Sequence, residues 1–202
     1  MCYPSFSVAL VAGMWVNAAT AQGPTGGWDI RVSNVVSPSQ PSATIEIWAW
    51  MEPQSNPQLA FCCGDFDFVA DSGRPTNPRV DPWFTAWPFY RSGVEQGSGV
   101  VGVVIAQLPP PFQRLNGDIR VWLVDWDTDD FTPRRVHLRT AGTTGFGIYE
   151  QPFPSSMVTD LYPHAFFPGE AWIRVVPAPT AGMVLLVAGI GVWMPRRRST
   201  SN

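Results

Sequence analysis

The chain contains no lysine. All 13 of its basic residues are arginine, and charged side chains make up only 14% of its 202 residues, against roughly a quarter in an ordinary soluble protein. Positive charge is also unevenly placed: Arg196, Arg197 and Arg198 lie among the last seven residues, and no charged side chain precedes Asp29. Setting those three arginines aside leaves 10 Arg against 16 acids, a net of -6. A body this acidic has no basic face for phosphate, which argues against nucleic acid as a partner. Histidine is equally scarce. His137 and His164 are the two in the chain, and neither HExxH nor GxSxG occurs, so the usual signatures of zinc proteases and serine hydrolases are missing. Asp71-Ser72-Gly73 shares part of the hydrolase motif, but these are three common turn residues, and no spacing ties Ser72 to His137 or His164. Glu46, Glu52, Glu95, Glu150 and Glu170 could serve as glycosidase carboxylates, yet no spacing selects two of them. No catalytic residue is assigned, and the chain is expected not to be an enzyme.

Cysteine is nearly absent too. Cys2 falls in the N-terminal leader, which leaves the sequence neighbours Cys62 and Cys63; adjacent cysteines cannot staple distant parts of a fold. They could form a vicinal disulfide, pair between chains, or remain two partly buried thiols in a strand. With no basic residue nearby to activate a thiolate, the last state is expected. A zinc site from this pair and a distant histidine lacks any diagnostic spacing. Long amphipathic helices and repeats of fixed period are missing as well.

What the chain does have is apolar and turn-forming: 45% hydrophobic residues, 21 Pro, 18 Gly and 10 Trp. Runs with β character separated by turn residues predict strands at 28–36, 43–51, 58–70, 83–90, 100–107, 118–127, 146–150 and 171–176. In the second run Ile45, Ile47 and Ala49 face one way and Thr44, Glu46, Trp48 and Trp50 the other, the half-buried pattern of an antiparallel sheet. Prolines fall between the runs, as in the stretches 37–41 and 109–111, where no ladder donor is needed. The expected fold is all-β: a single antiparallel β-sandwich or jelly-roll-like domain over residues 22–177. That body should fold without either terminus.

Two features of the body bear on ligands. The run Asp125-Trp126-Asp127-Thr128-Asp129-Asp130 begins like the alternating oxygen ladder of a calcium loop, but has Asp130 at the sixth position and Val136 at the twelfth, where an EF-hand needs Gly and Glu. An irregular inter-strand loop could still hold a structural calcium ion on Asp125, Asp127, Asp129 and Asp130; the plainer reading is a solvated acidic turn. Asp65, Asp67 and Asp71 form a weaker cluster. Tryptophans supply the second feature. Trp48 with Trp50, Trp83 with Trp87, and Trp122 with Trp126 could each project to one side, and flat aromatic platforms bind sugar rings, so Trp48, Trp50, Trp83 and Trp87 form a candidate carbohydrate surface. The alternative is that the indoles fill the core.

The ends read as targeting signals. Residues 8–21, VALVAGMWVNAATA, form an apolar stretch of signal-peptide length closing on Ala19-Thr20-Ala21, which predicts cleavage after Ala21 and a signal peptide at 1–21. The segment that precedes the apolar stretch carries no Lys or Arg, a departure from the usual pattern. At the other end the run 181–194, AGMVLLVAGIGVWM, is apolar and followed by Arg196, Arg197 and Arg198. It is shorter than the roughly 20 residues that span a bilayer comfortably. Its glycines nonetheless disfavour a soluble helix, and the arginines supply a cytoplasmic stop, so a hydrophobic membrane helix is expected with the body outside.

The order Val176-Pro177-Ala178-Pro179, short hydrophobic segment, arginine cluster resembles the tripartite PEP-CTERM sorting signal of bacterial surface proteins, and the match spans about 25 residues at 178–202 and just before. Ala178 stands where that signal's glutamate would be, and Pro195 interrupts the approach to the arginines. The resemblance implies recognition by an exosortase-type enzyme after signal peptidase has acted, membrane anchoring through the C-terminus, and delivery to the cell surface or extracellular matrix, where matrix polysaccharide is a candidate partner. A structural or binding role is the expectation, with a carbohydrate-binding module as the alternative and an extracellular hydrolase third.

Overall fold

The computed structural model describes residues 23–32, 35–52, 60–86, 88–107, 118–149 and 158–177. The leader with Ala19 and Ala21, the tail from Ala178 with Pro179 and Arg196 to Arg198, and Trp87 and Glu150 lie outside the described residues. Among the described residues the regular structure is strand, apart from one 3-10 turn at Pro82–Phe84.

The strands are β1 (Thr25–Val32), β2 (Val35–Val36), β3 (Ser42–Glu52), β4 (Ala60–Ala70), β5 (Arg74–Val80), β6 (Arg91–Gln96), β7 (Gly99–Ala106), β8 (Ile119–Asp127), β9 (Arg134–Ala141), β10 (Phe146–Tyr149), β11 (Val158–Asp160), β12 (Phe166–Phe167) and β13 (Glu170–Val175). They form two sheets. The five-stranded sheet runs β12-β1-β3-β8-β5; the other runs β11-β10-β4-β9-β13-β2, with β7 on the free edge of β4 and β6 beyond it. Both sheets are mixed and not purely antiparallel, because β12 joins β1 and β2 joins β13 in parallel. Each parallel contact is a two-residue pairing at a sheet edge between segments far apart in the chain, which no local alternation signals.

The sheets share one core. Ile45, Ile47, Val124 and Trp122 of the five-stranded sheet and Phe66, Phe68 and Leu138 of the other belong to a single buried cluster. Aromatic edges join the layers: Trp28 meets Phe66 at 4.9 Å between ring centroids and Trp122 meets Phe66 at 5.5 Å in a T-shaped contact, the arrangement that aligns positive ring edges with negative faces. Each buried indole nitrogen finds an acceptor, Trp28 on Thr143, Trp122 on the Ser92 carbonyl and Trp126 on the Ser72 carbonyl. The architecture is β-sandwich-like, and β3 shows the predicted alternation, with Ile45, Ile47 and Ala49 fully buried.

Several expectations about elements change. Residues 83–86 and 88–90 are not strand: the Asp81 carboxylate accepts the Trp83 N–H at 3.1 Å and Pro82 opens a 3-10 turn, so capping chemistry overrides the aromatic run. Conversely, β5 carries Pro75 and Pro78 inside a strand. It lies at the sheet's edge, where a missing amide donor faces away from the ladder. An extra residue between Thr76 and Arg79 interrupts its register with β8, and Asn77 adopts φ 53° there, a left-handed conformation that asparagine tolerates.

Candidate binding face

The outer surface of the five-stranded sheet is built by alternation along β1 and β3. Along β1, Trp28 and Ile30 point inward and Asp29 and Arg31 outward; along β3 the outward set is Thr44, Glu46, Trp48 and Trp50. In β8 one extra residue opposite the Ile47–Trp48 step lets Val121 and Trp122 both face the core, so that Arg120 on one side and Leu123, Asp125 and Asp127 on the other stay outside.

These outward groups form a connected network. Trp48 Nε1 donates to Glu46 Oε2 at 3.0 Å, and Arg120 donates from Nη1 to Glu46 Oε1 and from Nε to Asp81 Oδ2, each at 2.9 Å. Asp81 is the residue that caps Trp83, so a hydrogen-bonded path runs from the Trp48 indole to the backbone of Trp83, whose side chain is 49% exposed. Asp81 and Glu46 raise the pKa of the Arg120 guanidinium, holding its charge firmly. Arg31 binds Asp29 and Asp118 and lays its guanidinium 4.1 Å from the centre of the Trp48 ring, a cation–π contact that fixes the indole's plane. Next to it, Trp50, Gly27 and Phe167 occupy one row across β3, β1 and β12. Gly27 offers no side chain, and the rings of Trp50 and Phe167 meet over it at 5.7 Å, inclined by 31°.

The acidic run is divided by its strand. Trp126 is buried while Asp125 and Asp127 point outward from β8, and Asp129 and Asp130 lie in the exposed turn that follows. Asp125 is a hub: Arg79 donates to both its oxygens at 3.0 and 3.2 Å, Asn77 Nδ2 at 3.0 Å and Thr44 Oγ1 at 3.1 Å. Burial pushes this carboxyl upward, but the bonds from Arg79, Asn77 and Thr44 outweigh it and hold the pKa below the ordinary carboxylate value. Asp127 accepts from Thr76, and Asp130 pairs with Arg134 at 3.0 Å. Among the described residues no three His, Cys, Asp or Glu side chains are grouped to hold a metal ion. Asp65 and Asp67 likewise fasten backbone, accepting the N–H groups of Thr144 and Gly145 and of Gly102.

The tryptophans divide as well. Trp122 and Trp126 are core residues at 0% exposure, whereas Trp48 and Trp50 share the outer face and Trp83 stands at its β5 end. Sequence reading missed Arg31, Asp81, Arg120 and Phe167. The alternation of Asp29-Ile30-Arg31 and Ile119-Arg120-Val121 carried a signal for the two arginines; nothing local placed Phe167 beside Trp50. The remaining catalytic candidates stay apart. Ser72 Oγ accepts a long 3.4 Å bond from Arg134, while His137 stacks on Trp172 with ring centroids 4.3 Å apart. The His137 Nε2 is 3.5 Å from Glu170 Oε2, within ion-pair reach when protonated but without hydrogen-bond alignment. His164 is exposed in a turn. Glu46 is on one sheet's outer face and Glu170 on a strand of the other sheet. Among the described residues no helix is long and apolar enough to cross a membrane; the hydrophobic run 181–194 lies outside them. No protein-family model matches the chain, and no curated protein matches it in sequence.

Proposed function

We propose that this is an exported bacterial surface or matrix protein, anchored through its C-terminal segment and handed to an exosortase-type enzyme, whose β body has a structural or binding role. The observation that carries this reading is where the body stops. β13 ends at Val175, and the Val176 N–H, at the first residue of the Val176-Pro177-Ala178-Pro179 motif, closes on the Val36 carbonyl at 2.9 Å. The last ladder of the body thus ends where the sorting motif starts, so removal of the tail would leave the described strands whole. Intact mass of the protein from envelope and medium tests it: loss of residues 1–21 and of the tail beyond Pro179 is expected, and a full-length mass from the cytoplasm would overturn it.

A second reading, a carbohydrate-binding role, is favoured by the Trp50 and Phe167 pair beside the Trp48, Arg31, Glu46 and Arg120 network. Sugar rings present C–H faces to aromatic rings and hydroxyls to carboxylates and guanidinium groups. Retardation of the body in gels containing surface polysaccharide, lost in Trp50→Ala, supports that role; equal mobility with and without polysaccharide removes it.

A further inference from the structure

The opposite outer face, on the eight-stranded sheet, brings the two adjacent cysteines together by a device the sequence does not announce. In the β4–β10 ladder Cys63 lies opposite Gly147 and Phe61 opposite Ile148, so Cys62 is an extra, bulged residue. Counting back from Phe68 and Phe66 by twos would turn Cys62 inward and Phe61 out. The bulge reverses that phase: Phe61 enters the main core at 0% exposure, and Cys62 joins Cys63, Ala60 and Tyr149 in a separate cluster. Gln107, itself buried, clamps the bulge by donating its backbone N–H to the Cys62 carbonyl at 2.8 Å and its side-chain Nε2 to the Phe61 carbonyl at 2.9 Å. Two neighbouring side chains of one strand thus share a face.

Both are free thiols, and they hydrogen-bond to each other. They border a mostly apolar hollow of about 520 Å³ that Ala106, Gly147, Val158 and Asp160 also line. Gly147 keeps space over the sulfurs, since a Cβ there would come within 3.0 Å of Cys63 Sγ.

We propose that Cys62 Sγ and Cys63 Sγ form a two-thiolate site for one soft cation of the Cu(I) class. Softness follows from the donors, because thiolates select such ions over hard ones. The low coordination number follows from the surroundings: the described residues offer no third His, Cys, Asp or Glu grouped with the pair, and zinc would ask for four ligands. Binding is a proton exchange without redox change, in which Cu(I) and two thiols give an anionic bis-thiolate and release two protons. Two donors are in place for that anion, the Gly147 backbone N–H at Cys63 and the Tyr149 hydroxyl at Cys62. Asp160 is itself held by the N–H groups of Phe146 and Tyr162.

The test is anaerobic titration of the phosphine-reduced full chain with Cu(I) against bicinchoninate, in a Cys2→Ser background that removes the third thiol. One Cu(I) per chain with an ultraviolet thiolate-to-copper band is expected. Cys62→Ser and Cys63→Ser should each abolish the band, and Tyr149→Phe should weaken binding about 10-fold while keeping both sulfurs, as loss of an outer-shell donor does. Near-ultraviolet circular dichroism establishes that each variant is folded. Failure of the parent to hold copper, or retention of the band in either serine variant, overturns the proposal.

Discussion

The outer face of the five-stranded sheet and the β4–β10 end of the other sheet rest on one core and yet carry different chemistry. On the five-stranded sheet the outward positions hold Arg31, Glu46, Arg79, Arg120 and Asp125 in cross-strand ion pairs around Trp48 and Trp50. On the β4–β10 side of the other sheet they hold Ala60, Cys62, Cys63 and Tyr149 above a largely apolar hollow. Inner positions are apolar in both, with Ile and Val throughout, the buried tryptophans on the five-stranded sheet and the buried strand phenylalanines on the other. The contrast separates what the fold requires, an apolar inner face on each sheet, from what the outer faces are free to carry. It also shows bulges in two uses. The one in β8 keeps Arg120 and Asp125 on the ionic face while two consecutive residues are buried, and the one at Cys62 gathers two thiols on the apolar face.

If one core supports both faces, its loss should remove both together. Trp122→Ala deletes a fully buried indole that touches Phe66 and Phe68 across the layers, and should cost about 3–5 kcal/mol. Chemical denaturation followed by tryptophan emission and by Cys62 and Cys63 labelling should give one shared transition; separate transitions would break the picture of a single core. A smaller effect should be confined to one face. Arg120→Ala strips Glu46 and Asp81 of their shared cation, and because the arginine is 39% exposed the loss should be only about 1 kcal/mol after solvent screening, with thiol labelling rates in the native state unchanged. Altered labelling would mean that the faces are coupled.

The smallest effect is a pH dependence belonging to the ionic face. The folded Asp125 pKa is depressed, so the folded state binds this proton less readily than the unfolded chain. Its contribution is therefore present above the ordinary carboxylate value near 4 and is lost as pH falls through the lower folded value. Asp125→Asn should flatten the acid limb of a stability-against-pH curve while leaving the shape of the curve above neutral pH in place. An unaltered acid limb would show that Arg79, Asn77 and Thr44 do not favour the charged carboxylate.

Much of the inner architecture was legible along the chain. β3, β7, β8 and β13 fall close to their predicted runs because each has an apolar alternation that only one face of a sheet can bury. The strands that escaped notice are those whose local composition points elsewhere. β5 contains two prolines and β9 contains Arg134, Arg135 and Arg139; both are strands because neighbours supply their ladders. The candidate face was half legible. Trp48 and Trp50 on one side of β3 follow from a period of two, but Phe167 reaches Trp50 across more than a hundred residues through a two-residue parallel contact.

The order of residues alone fixed the all-β class and the side of β3 on which each residue falls, since these depend on alternation within a single strand. Register, edges and bulges depended on the assembled sheets. An adjacent pair such as Cys62-Cys63 normally points to opposite faces, and the partner strand β10, one residue shorter across that stretch, turns the two thiols to the same side. Sequence spacing cannot encode that count, because it is a difference between two strands that meet only in the folded protein.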